Sequence, residues 1–586
     1  MGLILSDGWG LMHSISNLRF RASARKPPDI LAFRVFSFRS ARSHRSADRS
    51  GSGEQYGIKV SRTLFYRAVE ALPPFLREWV AESFLRRAGA PGPAAEHAFQ
   101  YLLSAAKAKR SAKRAGFEEA TVAKGADNFY QRQYRQYFNT AMGAFAMTAK
   151  MALVGSGGAP RGWLWRRRRL VGAAMLEEIG GASPILVINR QTVAVPLLLP
   201  KPTNRNDFVA IARWLTGHGS MPSVYGRLVA GEEVPCAESG VRARLRAADG
   251  ALLETVDAVT YSRKLAVLAL HPYDPDAMGL HITLFGAQIL TPRFLQEDYG
   301  LEPTALDPWR DVALEKDRLL LFCAGGTEEV FTQCSQNLFV KRPLDVAAQQ
   351  CPVPGFRAWR PGLPLEHLLD AQFEIFQITA SASGLPGVSP RNGDRGKAAL
   401  VGRRDAKTFI LIPYFPGNAV HGHAAKLWSN AYGKLVVWDD HCALNAVTLS
   451  GPAWVVAHQT VENDFPSIAT KIAARQRRNG AAARNPEYWF LQEIVELVQQ
   501  SEPLVANSLD PSRPTCSIHA GGLARHSKKP AYFAADTLPA YDQDWQHRRE
   551  AAGRPLDRTG KGHRRWAYDV APVLAARRTH LARASD

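Results

Sequence analysis

Apolar residues recur at helical spacing between about 60 and 152. Leu64, Phe65, Ala68, Val69 and Leu72 share one face, and Pro73 with Pro74 ends that segment. Phe75, Trp79, Val80 and Phe84 mark a second helix. A third runs from about 94 into Lys107, Lys109, Arg110, Lys113 and Arg114, and a fourth carries Phe129, Tyr130, Tyr134, Tyr137 and Phe138. The pattern predicts an all-α N-terminal domain over 56–155, closed by the Gly-rich break 155–162. Upstream, residues 1–55 have no apolar period and are dominated by Ser, Arg and Gly towards their end, which predicts a disordered basic arm.

From about 175 the period shortens. Residues 184–189 and 192–199 read as strands, as do 265–270, 280–285 and 319–322. Asp249-Gly250 between two apolar runs reads as a hairpin turn, because both residues tolerate positive φ. A helix is expected over 207–216. Gly325-Gly326 is expected to turn the chain after 322, with Thr327 capping a short helix. The result is a β-rich α+β domain over 175–350. A helix over 365–376 and a Gly/Ser/Pro linker over 381–396 separate it from the last globular segment, 399–505. That segment carries predicted strands at 409–413, 434–438 and 453–457 and helices at 465–478 and 486–500, a mixed β/α C-terminal domain. Residues 506–586 read as an irregular basic tail. The fold class expected is thus α+β, in several domains.

Length supports that division, since 586 residues exceed what one core accommodates. Charge changes the picture more. Lys and Arg number 74 against 53 acidic residues, a net +21, a field that attracts polyanions and anionic substrates. Six cysteines without CxxC spacing exclude zinc ribbons, thioredoxin motifs and a disulfide scaffold. The longest apolar runs fall far short of the ~20 residues of a membrane helix. Arg19 comes late with no apolar core behind it, unlike a secretory signal. A cytoplasmic location is the expectation. No GxSxG elbow supports a serine hydrolase.

The densest chemistry lies between 414 and 464. His421 and His423 are spaced to share one face of a strand. With His458 they are expected to hold a divalent metal (Zn, Fe, Mn or Ni), with Asp440 and His441 completing a catalytic site. This predicts a metal-dependent enzyme acting on an anionic substrate. The alternative is a non-catalytic nucleic-acid-binding or assembly protein. It would use the Lys107, Lys109, Arg110, Lys113, Arg114 run and the patch Trp163, Trp165, Arg166, Arg167, Arg168, Arg169, where guanidinium groups pair with phosphate and indoles stack on bases. Oligomeric state is not legible from the sequence.

Overall fold

The computed structural model describes residues 115–117, most of 138–332, 341–343, most of 359–500, and 515–517. All of these belong to one unit, Glu78–Asp586.

The first half of that region starts with helix α1 (Thr140–Met147) and strands β1 (Met151–Gly157) and β2 (Val171–Glu177). Next come the hairpin β3 (Leu186–Asn189) and β4 (Thr192–Pro200), and helices α2 (Arg205–Leu215) and α3 (Ser223–Ala230). Strands β5 (Glu232–Val234) and β6 (Arg242–Arg246) precede helix α4 (Ala248–Ser262). Strands β7 (Lys264–Leu270) and β8 (Leu280–Leu290), helices α5 (Pro292–Tyr299) and α6 (Asp307–Glu315) and the long strand β9 (Arg318–Thr332) complete it. The seven-stranded sheet runs in the order β2-β1-β7-β8-β9-β4-β3. Strands β1, β2, β4 and β7 are largely apolar without alternation because both faces are covered. Every residue of β1 and β2 is buried. One face packs on α4, through Leu252, Leu253, Val256 and Val259, and the other meets the second half of the chain.

After β10 (Lys341–Pro343) and helix α7 (Leu365–Leu369), the second half repeats the plan. It comprises the hairpins β11 (Glu374–Ala380) with β12 (Pro386–Asn392) and β13 (Leu400–Arg404) with β14 (Lys407–Tyr414). Helix α8 (Gly422–Ser429), strands β15 (Tyr432–Trp438) and β16 (Ala446–Val456), and helices α9 (His458–Asp464) and α10 (Pro466–Arg478) follow. Strands β17 (Tyr488–Glu493), β18 (Glu496–Gln500) and β19 (Thr515–Ser517) come last. The order is β12-β11-β15-β16-β17-β14-β13, strand for strand that of the first sheet. The registers match as well. Ser156 of β1 faces Gly172 and Leu265, while Thr379 of β11 faces Gly387 and Gly433. Leu268 faces His281, and Val436 faces Thr448. The chain therefore contains one sheet unit twice.

The two units pack reciprocally. β2 lies on β15 as β12 lies on β7, and β1 meets β12 as β11 meets β2, the contact pattern of a pseudo-two-fold axis. Met151, Leu153, Ala173, Leu268, Phe376, Ile378, Val388 and Val436 fill the joint. Approach is closest at glycines: a Cβ on Gly155 would lie 2.7 Å from Val388, and one on Gly157 would lie 2.2 Å from the Gly384 carbonyl. The units also share a strand. β6, from the first half, pairs in parallel with β18 in the second sheet, Arg242 opposite Glu496.

Several expectations are corrected. The expected class, an all-α domain followed by a β-rich and then a mixed domain, gives way to two like β-sheets. Of the segment 56–155, most lies outside the described residues. The part that is described supplies α1 and then β1, a central strand where the sequence suggested a helical end and a break. Asp249-Gly250 opens helix α4 instead of turning a hairpin, since the residues after it bury at helical spacing against β1 and β2. Gly325 and Gly326 lie inside β9, where Gly325 lets β8 approach: its Cβ would sit 3.0 Å from the Phe285 carbonyl. The 365–376 helix stops at Leu369, and β12 occupies the expected linker. Residues 486–500 form β17 and β18, because their apolar residues are buried on two sheet faces at once. The arm 1–55 lies outside the described residues, as does the tail 506–586 apart from 515–517. Among the described residues no helix is long and apolar enough to cross a membrane.

Candidate anion-binding face

Alternation on β11 and β12 sorts their side chains into two sets. Phe376, Ile378, Ala380 and Val388 face the first sheet. Ile375, Gln377, Thr379, Gly387, Ser389 and Arg391 face the other way, into the core of the second unit, where Ile375 joins Tyr414, Tyr488 and Phe490. The equivalent face of the first unit carries Ala152, Val154, Ser156, Gly172, Ala174 and Leu176, by the shared register. One face is small and apolar. Its counterpart is polar and basic, and Arg391 stands where the first unit has Leu176.

Arg391 is the centre of this face. Its Nε donates to Gln377 Oε1 at 2.9 Å. Its guanidinium carbon lies 4.7 Å from the Phe490 ring centroid and 5.8 Å from that of Tyr414. Tyr414 and Tyr488 stack with centroids 4.3 Å apart and planes 8° apart. Burial lowers the Arg391 pKa, against the opposing influence of Tyr488 and Tyr414. An arginine nevertheless stays protonated. The side chain keeps some exposed surface. The guanidinium is thus partly desolvated and still reachable from solvent.

No carboxylate neutralises it among the described residues. Neighbouring arginines differ. Arg403 bonds Glu238 and Glu366, and Arg404 bonds Asp464 at 2.8 Å. Glu487 acts on the two tyrosines and is not among the influences on Arg391. Burial is the main cause that raises the Tyr488 phenol well above its ordinary value, with Tyr414 and Glu487 adding to it, and it raises Tyr414 as well. Both phenols stay neutral donors at physiological pH.

Helix α8 covers the far end of the same face. His423 Nδ1 and Thr379 Oγ1 share a hydrogen bond at 2.9 Å. The Lys426 ammonium would lie 3.2 Å from a Cβ on Gly387, so the lysine crosses the strand close against the glycine backbone. Asn430 Nδ2 donates to the Ala380 carbonyl at 3.1 Å and fixes the helix end. His423 and Lys426 are both buried.

The sequence-derived metal site does not assemble among these residues. His423 lies on a helix, not a strand, and His421 lies outside the described residues, as do Asp440 and His441. His458 begins α9 and sits on the opposite face of the second sheet. Its ring lies nearly parallel to that of Trp489 with centroids 6.1 Å apart, its Nδ1 accepts from Trp489 Nε1 at 3.0 Å, and its Nε2 is 3.4 Å from Glu462. Trp489 packs with one core cluster, while Tyr488 and Phe490 pack with the other, on the His423 side. Among the described residues no group of three His, Cys, Asp or Glu is placed to hold a metal ion. Lys107, Lys109, Arg110, Lys113, Arg114, Trp163, Trp165 and Arg166 to Arg169 all lie outside the described residues. Sequence reasoning missed Arg391, which fell in the expected linker. The legible signal was the polar pair Gln377 and Thr379 at strand spacing in an otherwise apolar run.

No family model matches the chain, and no curated protein matches it. Among solved structures, HupZ of Group A Streptococcus is 14% identical and matches over 25% of this chain and 99% of its own, with a TM-score of 0.18. HutZ, the heme storage protein from Vibrio cholerae, is 17% identical over 24% of this chain and 96% of its own, with a TM-score of 0.16.

Proposed function

We propose that the second sheet unit binds a small anionic ligand with a planar ring, seated against Arg391. One observation carries this reading: a half-buried guanidinium with no carboxylate partner among the described residues, in a position the duplicate unit fills with Leu176. A half-buried cation has lost part of its hydration, which costs free energy. An anion that pairs with it regains that cost through charge-assisted, bidentate hydrogen bonds. Phe490 and Tyr414 supply flat aromatic surface beside it, and Gln377 fixes the orientation of the guanidinium through Nε. His423 and Lys426 extend the basic character along the strand. The anionic substrate expected from the net charge belongs to this reading. A metal held jointly by His423 and His458 does not, because the sheet stands between them.

The test is calorimetry with phenyl phosphate, 1-naphthyl phosphate and naphthalene-2-sulfonate, with neutral 2-naphthol and inorganic phosphate as comparators. At least one aryl anion should bind, and Arg391→Met should weaken it by about 10²-fold, the range for removing one partner of a buried charge pair. Equal binding by wild type and variant, or no aryl anion bound, would overturn the proposal.

A further inference from the structure

Among the described residues the strand that carries Arg391 is an edge strand, paired by β11 on one side only. Such a strand leaves a row of backbone groups without ladder partners. One of its carbonyls is met from the other sheet unit. His281 Nδ1, on β8, lies 3.0 Å from the Val388 carbonyl oxygen. A carbonyl only accepts, so Nδ1 carries the proton and donates. The ring's other nitrogen, Nε2, lies 3.0 Å from Thr283 Oγ1, and Thr283 donates to Glu329 Oε2 at 2.9 Å. Phe331 covers the ring at 4.5 Å. His281, Thr283 and Glu329 are all buried, at 3%, 0% and 1% exposure.

Three features make this more than a satisfied core histidine. The bond crosses between the two units. It lands on Val388, whose neighbours Gly387 and Ser389 both face the basic side of β12. It also has no counterpart by symmetry, since Thr448 occupies the position in the second unit that His281 occupies in the first. The duplicated fold has thus placed its histidine only on the side that serves the Arg391 strand.

We infer that His281 is a positioning residue for β12, which it holds in register so that Arg391 meets its ligand. The ligand part of this inference rests on the reading given under Proposed function. Thr283 and Glu329 fix the ring, and the Val388 carbonyl receives its hold. The first sheet unit then acts as the scaffold of a site that belongs to the second.

The experiment compares wild type, His281→Leu and His281→Asn by amide hydrogen exchange across 386–392, and by 1-naphthyl phosphate affinity. Leucine keeps bulk without a donor. Asparagine places an N–H close to where Nδ1 stands. The inference expects faster exchange in β12 for His281→Leu, with β2 unchanged, an affinity at least 10-fold weaker, and recovery of both in His281→Asn. If His281→Leu does not fold, Thr283→Val, which loosens the ring and leaves its donor, should give a smaller change of the same kind. Unchanged β12 exchange in His281→Leu, or failure of asparagine to restore it, overturns the inference. A wild type that binds no aryl anion overturns the ligand reading instead, and the exchange comparison still decides whether His281 holds β12.

Discussion

Lys434, on the second sheet, reaches Glu254, on the helix that covers the first, with 3.3 Å between Nζ and Oε2. Arg246 joins the same carboxylate at 2.5 Å. Burial alone would raise the Glu254 pKa, but Lys434 and Arg246 outweigh it and hold the carboxyl below its ordinary value of 4.5. A carboxyl depressed in the folded state gives stability that is complete above the unfolded value and is lost as pH falls through the folded one. The joint between the units should therefore weaken below about pH 4.5. Urea midpoints at pH 7, 5, 4 and 3 should show a shallower acid decline for Glu254→Gln than for wild type. Parallel declines would remove Glu254 from the account.

Arg391→Met should stabilise the ligand-free protein by about 1 kcal/mol, since it replaces a half-buried cation that has no carboxylate partner among the described residues by apolar bulk. The denaturation midpoint without added ligand should rise. A fall would mean that Gln377 and the aromatic rings already satisfy the guanidinium.

Two glycines should respond with opposite sign. A Cβ on Gly157 would sit 2.2 Å from a backbone oxygen of Gly384, which cannot step aside as a side chain does. Gly157→Ala should cost about 1–3 kcal/mol. Gly226, inside α3, has nothing within 4 Å of its notional Cβ. Gly226→Ala should add about 0.5–1 kcal/mol through helix propensity alone. Paired thermal unfolding of the two variants checks both.

The β13–β14 hairpin turns on Asp405 and Ala406 with φ of 49° and 59°, a left-handed pair in which alanine is strained. Ala406→Gly should stabilise by about 1 kcal/mol. No gain in midpoint would show that the chain has absorbed the strain elsewhere.

How much was legible follows from what local sequence encodes. The hairpin β3–β4 and strands β7, β14 and β15 were readable, because short apolar runs between breakers have few alternatives. Helix α2 was readable from its apolar face, and Asn204 caps it by accepting from the Asp207 N–H at 2.9 Å. The segment 486–500 was misread because Tyr488 and Phe490 bury on one face and Trp489 and Leu491 on the other, which erases the two-residue period. The site was hidden for a related reason. Arg391 is separated from Phe490 by about a hundred residues, and only sheet curvature brings them together. The duplication left no short-period repeat, and it emerges only when registers are compared.

The strand β6, already paired with β5 on one side, joins a sheet whose main strands have not yet been made when it leaves the ribosome. Its partner β18 follows some 250 residues later, which at 5–20 residues per second is about ten to fifty seconds of synthesis. Through that interval the first unit can close its own sheet, while Arg242 to Arg246 waits with an open edge. The arginines at 242, 244 and 246 repel a like strand on a neighbouring chain; Glu233 and Glu254, close in sequence, pair with Arg244 and Arg246, and Glu496, made much later, pairs with Arg242 and Arg244. Among the described residues Arg242 has its acidic partner only once β18 has been made.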